Sequence, residues 1–343
     1  MRVTDLRGVD LDAYATDFDL TFSVLVIHPD GTVLHRYGGR DHTSADARLS
    51  MTSLVRFLKG AKGTAAAHRP VAREARQRRT LDDLPVWRKR VAERKKPLDC
   101  YHCHFVFDAE REQRKAEGTW DRDAIWRWPE PERVGLSLDT EDLGRVAAIQ
   151  PDTPAARAGL QKDDRLLEVS GQPILTALDL SAVFERSPRE AVRLPLRFAR
   201  GGQERKGELV LAAGWKRGTP LSFSWRPSKW GLSPRPGFGG RPLSAKERAE
   251  LGLAADGLAF RIGYIVDWGG APDRRYGQVA REAGLVKGDV VAGIEGADLR
   301  DPDHLHAWWR LTRKPGDVVV VRLIKQGQRE VQKVELRVPP APE

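Results

Sequence analysis

The rhythm of apolar and polar positions changes along the chain, and each change predicts an element. Thr21-Phe22-Ser23-Val24-Leu25-Val26-Ile27 is a largely apolar run, which predicts a strand buried on both faces. Pro29-Asp30-Gly31 supplies a turn, and Thr32-Val33-Leu34-His35-Arg36-Tyr37 alternates as an antiparallel return strand ended by Gly38-Gly39. Ser50 then caps a helix through Leu58, with Leu54, Val55 and Leu58 on one face. The predicted order is β-β-α. Further on, Trp87 and Val91 stand four apart, the spacing of a helix with one packed face.

The second half repeats itself. Ala158-Gly159-Leu160-Gln161-Lys162-Asp163-Asp164 through Gly171 recurs as Ala283-Gly284-Leu285-Val286-Lys287-Gly288-Asp289 through Gly296, at a constant offset of 125. A short helix is expected to end at Gly159 or Gly284, where a positive φ is cheap. Leu160 or Leu285 then enters the core, and the following polar residues turn into a buried strand. This pattern resembles PDZ domains of the bacterial type.

In the first copy, Val134-Gly135-Leu136-Ser137-Leu138 resembles the PDZ carboxylate-binding loop. The resemblance implies a groove strand at 144–149, a groove helix at 179–186 and closing strands at 192–198 and 208–211. It also implies peptide contacts from Val134, Gly135, Leu136, Ser137, Leu138, Arg145 and Val146. An extended peptide would add a strand to the sheet edge, its terminal carboxylate held by loop N–H groups. In the alternative, the loop simply packs and another part of the chain fills the groove. The second copy is placed from Gly257-Leu258-Ala259-Phe260, through His304 to Trp309 and Val318 to Leu323, to about Val338. Its insert, Tyr264 to Tyr276, is expected to distort the groove. Between the copies, Trp215, Trp225 and Trp230 are expected to pack a linker, and Ser244-Ala245-Lys246-Glu247 reads as a capping box opening a helix to about Leu251.

Both cysteines lie in one word, Cys100-Tyr101-His102-Cys103-His104. This is C-x-x-C-H, the attachment sequence for a c-type haem. Cys100 and Cys103 can each add to a vinyl group of one porphyrin, and His104 then ligates the iron. A disulfide, a redox dithiol or half of a zinc site are the alternatives. His35, His42 and His68 are the candidates for a sixth ligand, beside an empty position, while Met51 is expected to start a helix in another domain. Trp120, Trp126 and Trp128 are expected either to wall a haem or to fill a core. His304 and His306, two apart, are expected at a groove rim or in solvent rather than on a metal. No G-x-S-x-G and no Ser/His/Asp arrangement is present.

Phe18-Asp19-Leu20-Thr21-Phe22, His28-Pro29-Asp30-Gly31-Thr32 and Arg36-Tyr37-Gly38 resemble the second half of a thioredoxin-like domain. With C-x-x-C-H and the repeat, the order resembles the bacterial thioredoxin-like/PDZ (seleno)protein family. The half of the thioredoxin fold that carries the redox pair is absent. Met1 is therefore expected to be an internal methionine, with a selenocysteine codon and a signal peptide upstream. Leu20 stands where thioredoxins carry a cis-proline, so ordinary thiol–disulfide activity is not expected.

Composition narrows the picture. The 343 residues, 40% hydrophobic, suit two or three packed domains. No apolar run reaches the roughly 18 residues that span a bilayer. The net charge is +10, and Arg69 to Lys96 holds eleven Lys/Arg against four Asp/Glu. Such a segment is either a solvated linker helix or a surface for nucleic acid, an acidic membrane or an acidic redox partner. No helix-turn-helix or zinc-finger pattern points to nucleic acid.

The expected fold is α+β and multidomain. A partial thioredoxin-like β-β-α unit (1–62), a basic helical linker (63–97) and a C-x-x-C-H segment (98–132) come first. Two PDZ-like barrel or sandwich domains (133–213 and 257–340) follow, flanking a Trp/Pro/Gly-rich linker (214–256). The expected function is an exported, periplasmic or cell-envelope redox-associated protein. It would bind peptide segments of a partner and carry haem c. The alternatives are a PDZ adaptor without haem and a truncated thioredoxin-like (seleno)oxidoreductase.

Overall fold

The computed structural model describes residues 2–70, 77–142 and 144–340, so Met1 and residues 71–76 of the basic segment lie outside the described residues. The chain divides into two compact units, the first ending at Gly218 and the second beginning at Thr219.

The first unit opens with β1 (Ser23–Ile27) and β2 (Val33–Gly38), paired antiparallel with Val24 opposite Tyr37. The predicted hairpin is present, but β1 is only half-buried rather than covered on both faces. Helix α1 (Met51–Ala67) starts at Ser50, whose hydroxyl accepts the Ser53 N–H in a capping box. Its buried residues are Ser53, Phe57 and Ala61, while Val55 and Leu58 are exposed, so the packed face is not the predicted one. Tyr37 selects it: its ring lies 5.2 Å from Phe57 and its hydroxyl 2.8 Å from that of Ser53. Helix α2 (Pro85–Ala92) buries Trp87, and α3 (Phe105–Ala116) follows the cysteine word.

The first repeat copy comprises β3 (Leu136–Leu138), β4 (Val146–Ile149), α4 (Pro154–Arg157), β5 (Arg165–Val169), β6 (Gln172–Pro173), α5 (Ala177–Arg186), β7 (Val192–Arg200) and β8 (Gln203–Leu211). β3 and β4 form one small sheet, and a second sheet has the order β6-β5-β7-β8. Alternate residues of these strands meet α5 in one core that includes Leu166, Val183, Phe184, Leu196 and Leu209.

The second unit contains α6 (Pro220–Phe223), β9 (Phe238–Pro242), α7 (Ala245–Glu250), β10 (Phe260–Ile265), α8 (Ala271–Glu282), β11 (Val290–Ile294), α9 (Pro302–Thr312), β12 (Val318–Ile324) and β13 (Val331–Arg337). Its five-stranded sheet has the order β13-β12-β11-β10-β9. β9 falls inside the stretch predicted as linker, so that sheet begins well before Gly257. The Ser244 capping box opens α7 as predicted.

The repeat holds in three dimensions. Gly159 and Gly284 have φ of +81° and +84°, and Leu160 and Leu285 are 3% and 0% exposed. Asp164 and Asp289 are both fully buried. A buried carboxylate needs charged or N–H partners. Asp164 accepts from Arg200 at 2.7 Å and from the Gln161 N–H at 2.8 Å. Asp289 accepts from Lys325, Val286 N–H and Gln326 N–H, each at 3.1 Å. Arg200 and Lys325 stand at the repeat's own offset, an ion pair that the sequence match did not reveal.

Candidate functional site

A 3-10 turn over Pro131–Val134 delivers Gly135 in the left-handed region, at φ 79° and ψ 24°. A Cβ on Gly135 would collide with the Thr153 side chain, so both conformation and space demand glycine. β3 follows, with Leu136 opposite Ile149 and Ser137 opposite Ala148 on β4. Among the described residues no strand pairs with the other edge of β3. Val134, Leu136, Leu138 and Val146 all point into the core, and Ser137 is half-buried. Of these predicted peptide residues, Gly135 and the β3 backbone are what could meet a ligand. Arg145 is engaged at the β3–β4 turn by Asp163 at 2.7 Å, Asp142 at 3.2 Å and Asp139.

Helix α5 is the opposite wall expected for a groove. Thr176 caps it, and every residue from Leu178 to Phe184 is buried. Leu180, Val183 and Phe184 belong to the core of the first copy. The outer side is covered by β2. The Arg36 N–H donates to Asp179 Oδ1 at 2.7 Å, and His35 Nδ1 lies 2.8 Å from Asp179 Oδ2. Thr176 donates its hydroxyl to the Arg36 carbonyl, and Gln172 Nε2 donates to the Leu34 carbonyl at 2.9 Å. A Cβ on Gly38 would lie 3.4 Å from Leu178, and one on Gly60 of α1 would lie 3.1 Å from Leu175. Arg48 pairs with Glu132 at 2.9 Å, and Arg56 donates to the Glu141 carbonyl at 2.8 Å. The β-β-α segment therefore sits against α5, the turn before Gly135 and the β3–β4 connection. Sequence reasoning left open a groove filled by another part of the chain but did not name the hairpin. The one available signal was Asp179, an acidic residue among apolar ones on a helix.

The second copy has the same device one strand earlier than predicted. Gly237, at φ +78°, leads into β9 as Gly135 leads into β3. Phe238 is fully buried, its ring 6.3 Å from both Phe260 and Trp309. Gly257-Leu258-Ala259-Phe260 instead leads into β10, the neighbouring strand. His304 and His306 are buried on α9, not at a rim or in solvent. His304 Nδ1 accepts the Arg300 N–H at 3.3 Å, and the His306 ring lies 4.9 Å from that of Trp230. Burial, aided by Arg310, holds the His306 imidazole well below its ordinary range. Burial, with Arg235 nearby, also pushes the Arg310 guanidinium down to about 9. Trp215, placed in the linker by the sequence, packs edge-on to Phe184 at 5.3 Å in the first unit.

In the cysteine word, Tyr101 turns inward. It is buried, donates its hydroxyl to Asp82 at 2.9 Å and meets Trp87 edge-on at 5.1 Å. Cys100 is half-buried, Cys103 is exposed, and the two thiols are not bridged. His102 Nε2 is 3.6 Å from Cys100 Sγ, and its ring lies parallel to that of His104 at 5.8 Å. Partial desolvation raises the Cys103 thiol and lowers the His104 imidazole, the latter opposed by Asp108. His104 is thus neutral and able to ligate near pH 7, whereas Cys103 lacks the depressed pKa of a redox nucleophile. Among the other residues named for a haem, His35 is committed to Asp179, and Met51 is exposed at the start of α1. Trp128 is buried with Arg36 over its ring at 5.8 Å, and Trp126 lies under Arg133 at 5.7 Å, so both serve packing.

Residues 145–197 match the PDZ domain family. The chain carries a PDZ domain. The match runs from just before β4 into β7 and includes α5. The magnetosome formation protease MamE of Paramagnetospirillum magneticum (strain ATCC 700264 / AMB-1) is 26% identical over 227 residues. That alignment covers 58% of this chain and 31% of MamE, so the chain spans about a third of that relative's length. A serine endoprotease structure from Yersinia pestis is 22% identical over 22% of this chain and 27% of its own, with a TM-score of 0.19. That similarity bears no weight for the arrangement of this chain.

Proposed function

We propose that the chain is a PDZ protein that takes an extended or C-terminal peptide of a partner between β3 and α5, with the N-terminal hairpin controlling access. The observation that carries this reading is β3 itself. It is entered through left-handed Gly135 and, among the described residues, is paired on one edge only, as β-augmentation requires. The hairpin latched to Asp179 covers the helix wall, so peptide entry and hairpin docking compete. The test is selection of C-terminal peptides on the full chain. Enrichment of one apolar-ended sequence supports the reading, and no enrichment opposes it.

We further propose that Cys100, Cys103 and His104 carry a c-type haem. The donor set fits: two unbridged thiols, one of them exposed, precede a histidine kept neutral by partial burial. When bound, the haem supplies one-electron transfer. Tyr101, anchored through Asp82 and Trp87, fixes the loop that holds the two thiols. The β-β-α order supports a thioredoxin-like origin for the N-terminal segment, and the whole reads as an exported redox-associated protein. The basic segment would face an acidic redox partner. The test is the chain exported with c-type maturation and then denatured. A retained Soret band that Cys100→Ala/Cys103→Ala abolishes supports the haem. Its absence leaves a PDZ adaptor.

A further inference from the structure

The hairpin turn and the far end of α1 bring together three side chains that neither reading uses. His28 and Asp30 flank Pro29 in the turn between β1 and β2, and His68 is the first residue beyond α1. His28 Nδ1 lies 3.1 Å from Asp30 Oδ1, and His68 Nε2 lies 2.9 Å from Asp30 Oδ2. The two imidazoles are 4.5 Å apart, tilted by 60°. All three residues are half-buried, and one donor atom from each lies within 4.8 Å of the others.

We propose that His28, Asp30 and His68 bind one divalent first-row transition ion, leaving a coordination position open to water or a small exogenous ligand. Two imidazole nitrogens and a carboxylate form a borderline donor set suited to zinc and its neighbours rather than to magnesium or calcium. Three protein ligands are one fewer than a closed structural zinc site uses. Bonds of about 2.0–2.2 Å in a tetrahedron put neighbouring donors roughly 3.3–3.5 Å apart. The 2.9 and 3.1 Å contacts go to different oxygens of Asp30, so binding turns the carboxylate and draws together donor atoms that already lie within 4.8 Å of one another.

The turn is already organised around the carboxylate. The Thr32 N–H donates to Asp30 Oδ1 at 2.8 Å, while His28 N–H donates to the Thr32 carbonyl and Gly31 N–H to the His28 carbonyl, each also at 2.8 Å. Such backbone support orients metal ligands. Two imidazoles, their rings 4.5 Å apart, thus approach the single carboxylate of Asp30, so donors from three residues converge on one small space. The ion would also tie the hairpin turn to the end of α1, so binding should stabilise the N-terminal segment.

The test uses the full chain with Cys100→Ser and Cys103→Ser, so that no thiol competes for metal. Calorimetric titration with Zn2+ should show one ion per chain and a raised thermal midpoint. His28→Gln and His68→Gln should each weaken Zn2+ binding by at least about 10-fold and remove the thermal shift. Co2+ should give a d–d spectrum in the parent that His68→Gln loses. Circular dichroism checks each variant, and His68, at a helix end, is the substitution least able to disturb the fold. If His28→Gln does not fold, the His68→Gln result decides. No Zn2+ uptake by the parent, or equal uptake by His68→Gln, overturns the proposal.

Discussion

His35 Nδ1 and Asp179 Oδ2 lie 2.8 Å apart with both side chains fully buried, although 144 residues separate them in the chain. The same carboxylate accepts the N–H groups of Arg36 and Leu175. One residue of the groove helix thus holds the N-terminal hairpin, the helix start and the segment before it. Removing one partner of a buried pair leaves the other desolvated and unpaired, which costs about 3–5 kcal/mol. Asp179→Ala should therefore lower unfolding stability in urea by about that amount, whereas a surface Asp→Ala changes it by less than about 0.5 kcal/mol.

Gly135→Ala should destabilise the first unit by about 1–2 kcal/mol for the left-handed backbone alone, with a further cost from the contact with Thr153. Thr153→Ala removes a helix cap and should cost about 1 kcal/mol by itself. The added methyl meets Oγ1 and Cγ2 of Thr153, which alanine lacks, and also Cβ, which it keeps, so the double variant should lose only somewhat less than the sum of the single losses. Additive losses would show that the loop relaxes away from Thr153.

The paired carboxylates of the repeat give a matched experiment. Asp164→Ala strands Arg200 and the Gln161 N–H, and Asp289→Ala strands Lys325 and the N–H groups of Val286 and Gln326. Each should cost roughly 1–3 kcal/mol for the stranded N–H groups, read from chemical denaturation, because Arg200 and Lys325 are partly exposed and water replaces the lost carboxylate. A negligible loss at either position would mean that the turn holds without its carboxylate.

His306 predicts the acid response of the second unit. Its folded pKa lies well below the unfolded value because burial and Arg310 disfavour the imidazolium. Between those two values the unfolded chain binds the extra proton, so stability is full above about pH 6.5 and falls as the pH drops below it. The slope is at most about 1.4 kcal/mol per pH unit for this one group. In His306→Gln that part of the slope between pH 7 and 5 should vanish. An unchanged slope would assign the acid response to other groups.

Much of the fold was legible because it is local. Gly159, Gly284, Leu160 and Leu285 do what their neighbours in sequence require, and the Ser50 and Ser244 caps are short-range hydrogen bonds. The failures are tertiary. Tyr37, not the apolar count, turns Phe57 and Ala61 of α1 inward. Arg200 and Lys325 reach back across a strand pair to carboxylates far away in sequence. β9 was missed because Gly237-Phe238-Gly239-Gly240 reads as loop until it pairs with β10. His306 seemed polar enough for solvent until Trp230 and Arg310 closed over it. Near the proposed site, the left-handed turn at Gly135 and the strand after it were legible from the loop pattern. Which groups cover α5 depends on a contact between residues 35 and 179 that no periodicity encodes.

The most direct measurement is the affinity of a selected, fluorescently labelled C-terminal peptide for the full chain and for His35→Ala, read by anisotropy. Weakening the hairpin's hold on Asp179 should favour uncovering of the α5 wall, so the variant should bind the peptide about 10-fold more tightly, a difference of about 1.4 kcal/mol. Equal affinity in the two proteins, or no binding by either with the variant folded, would contradict a peptide groove controlled by the hairpin.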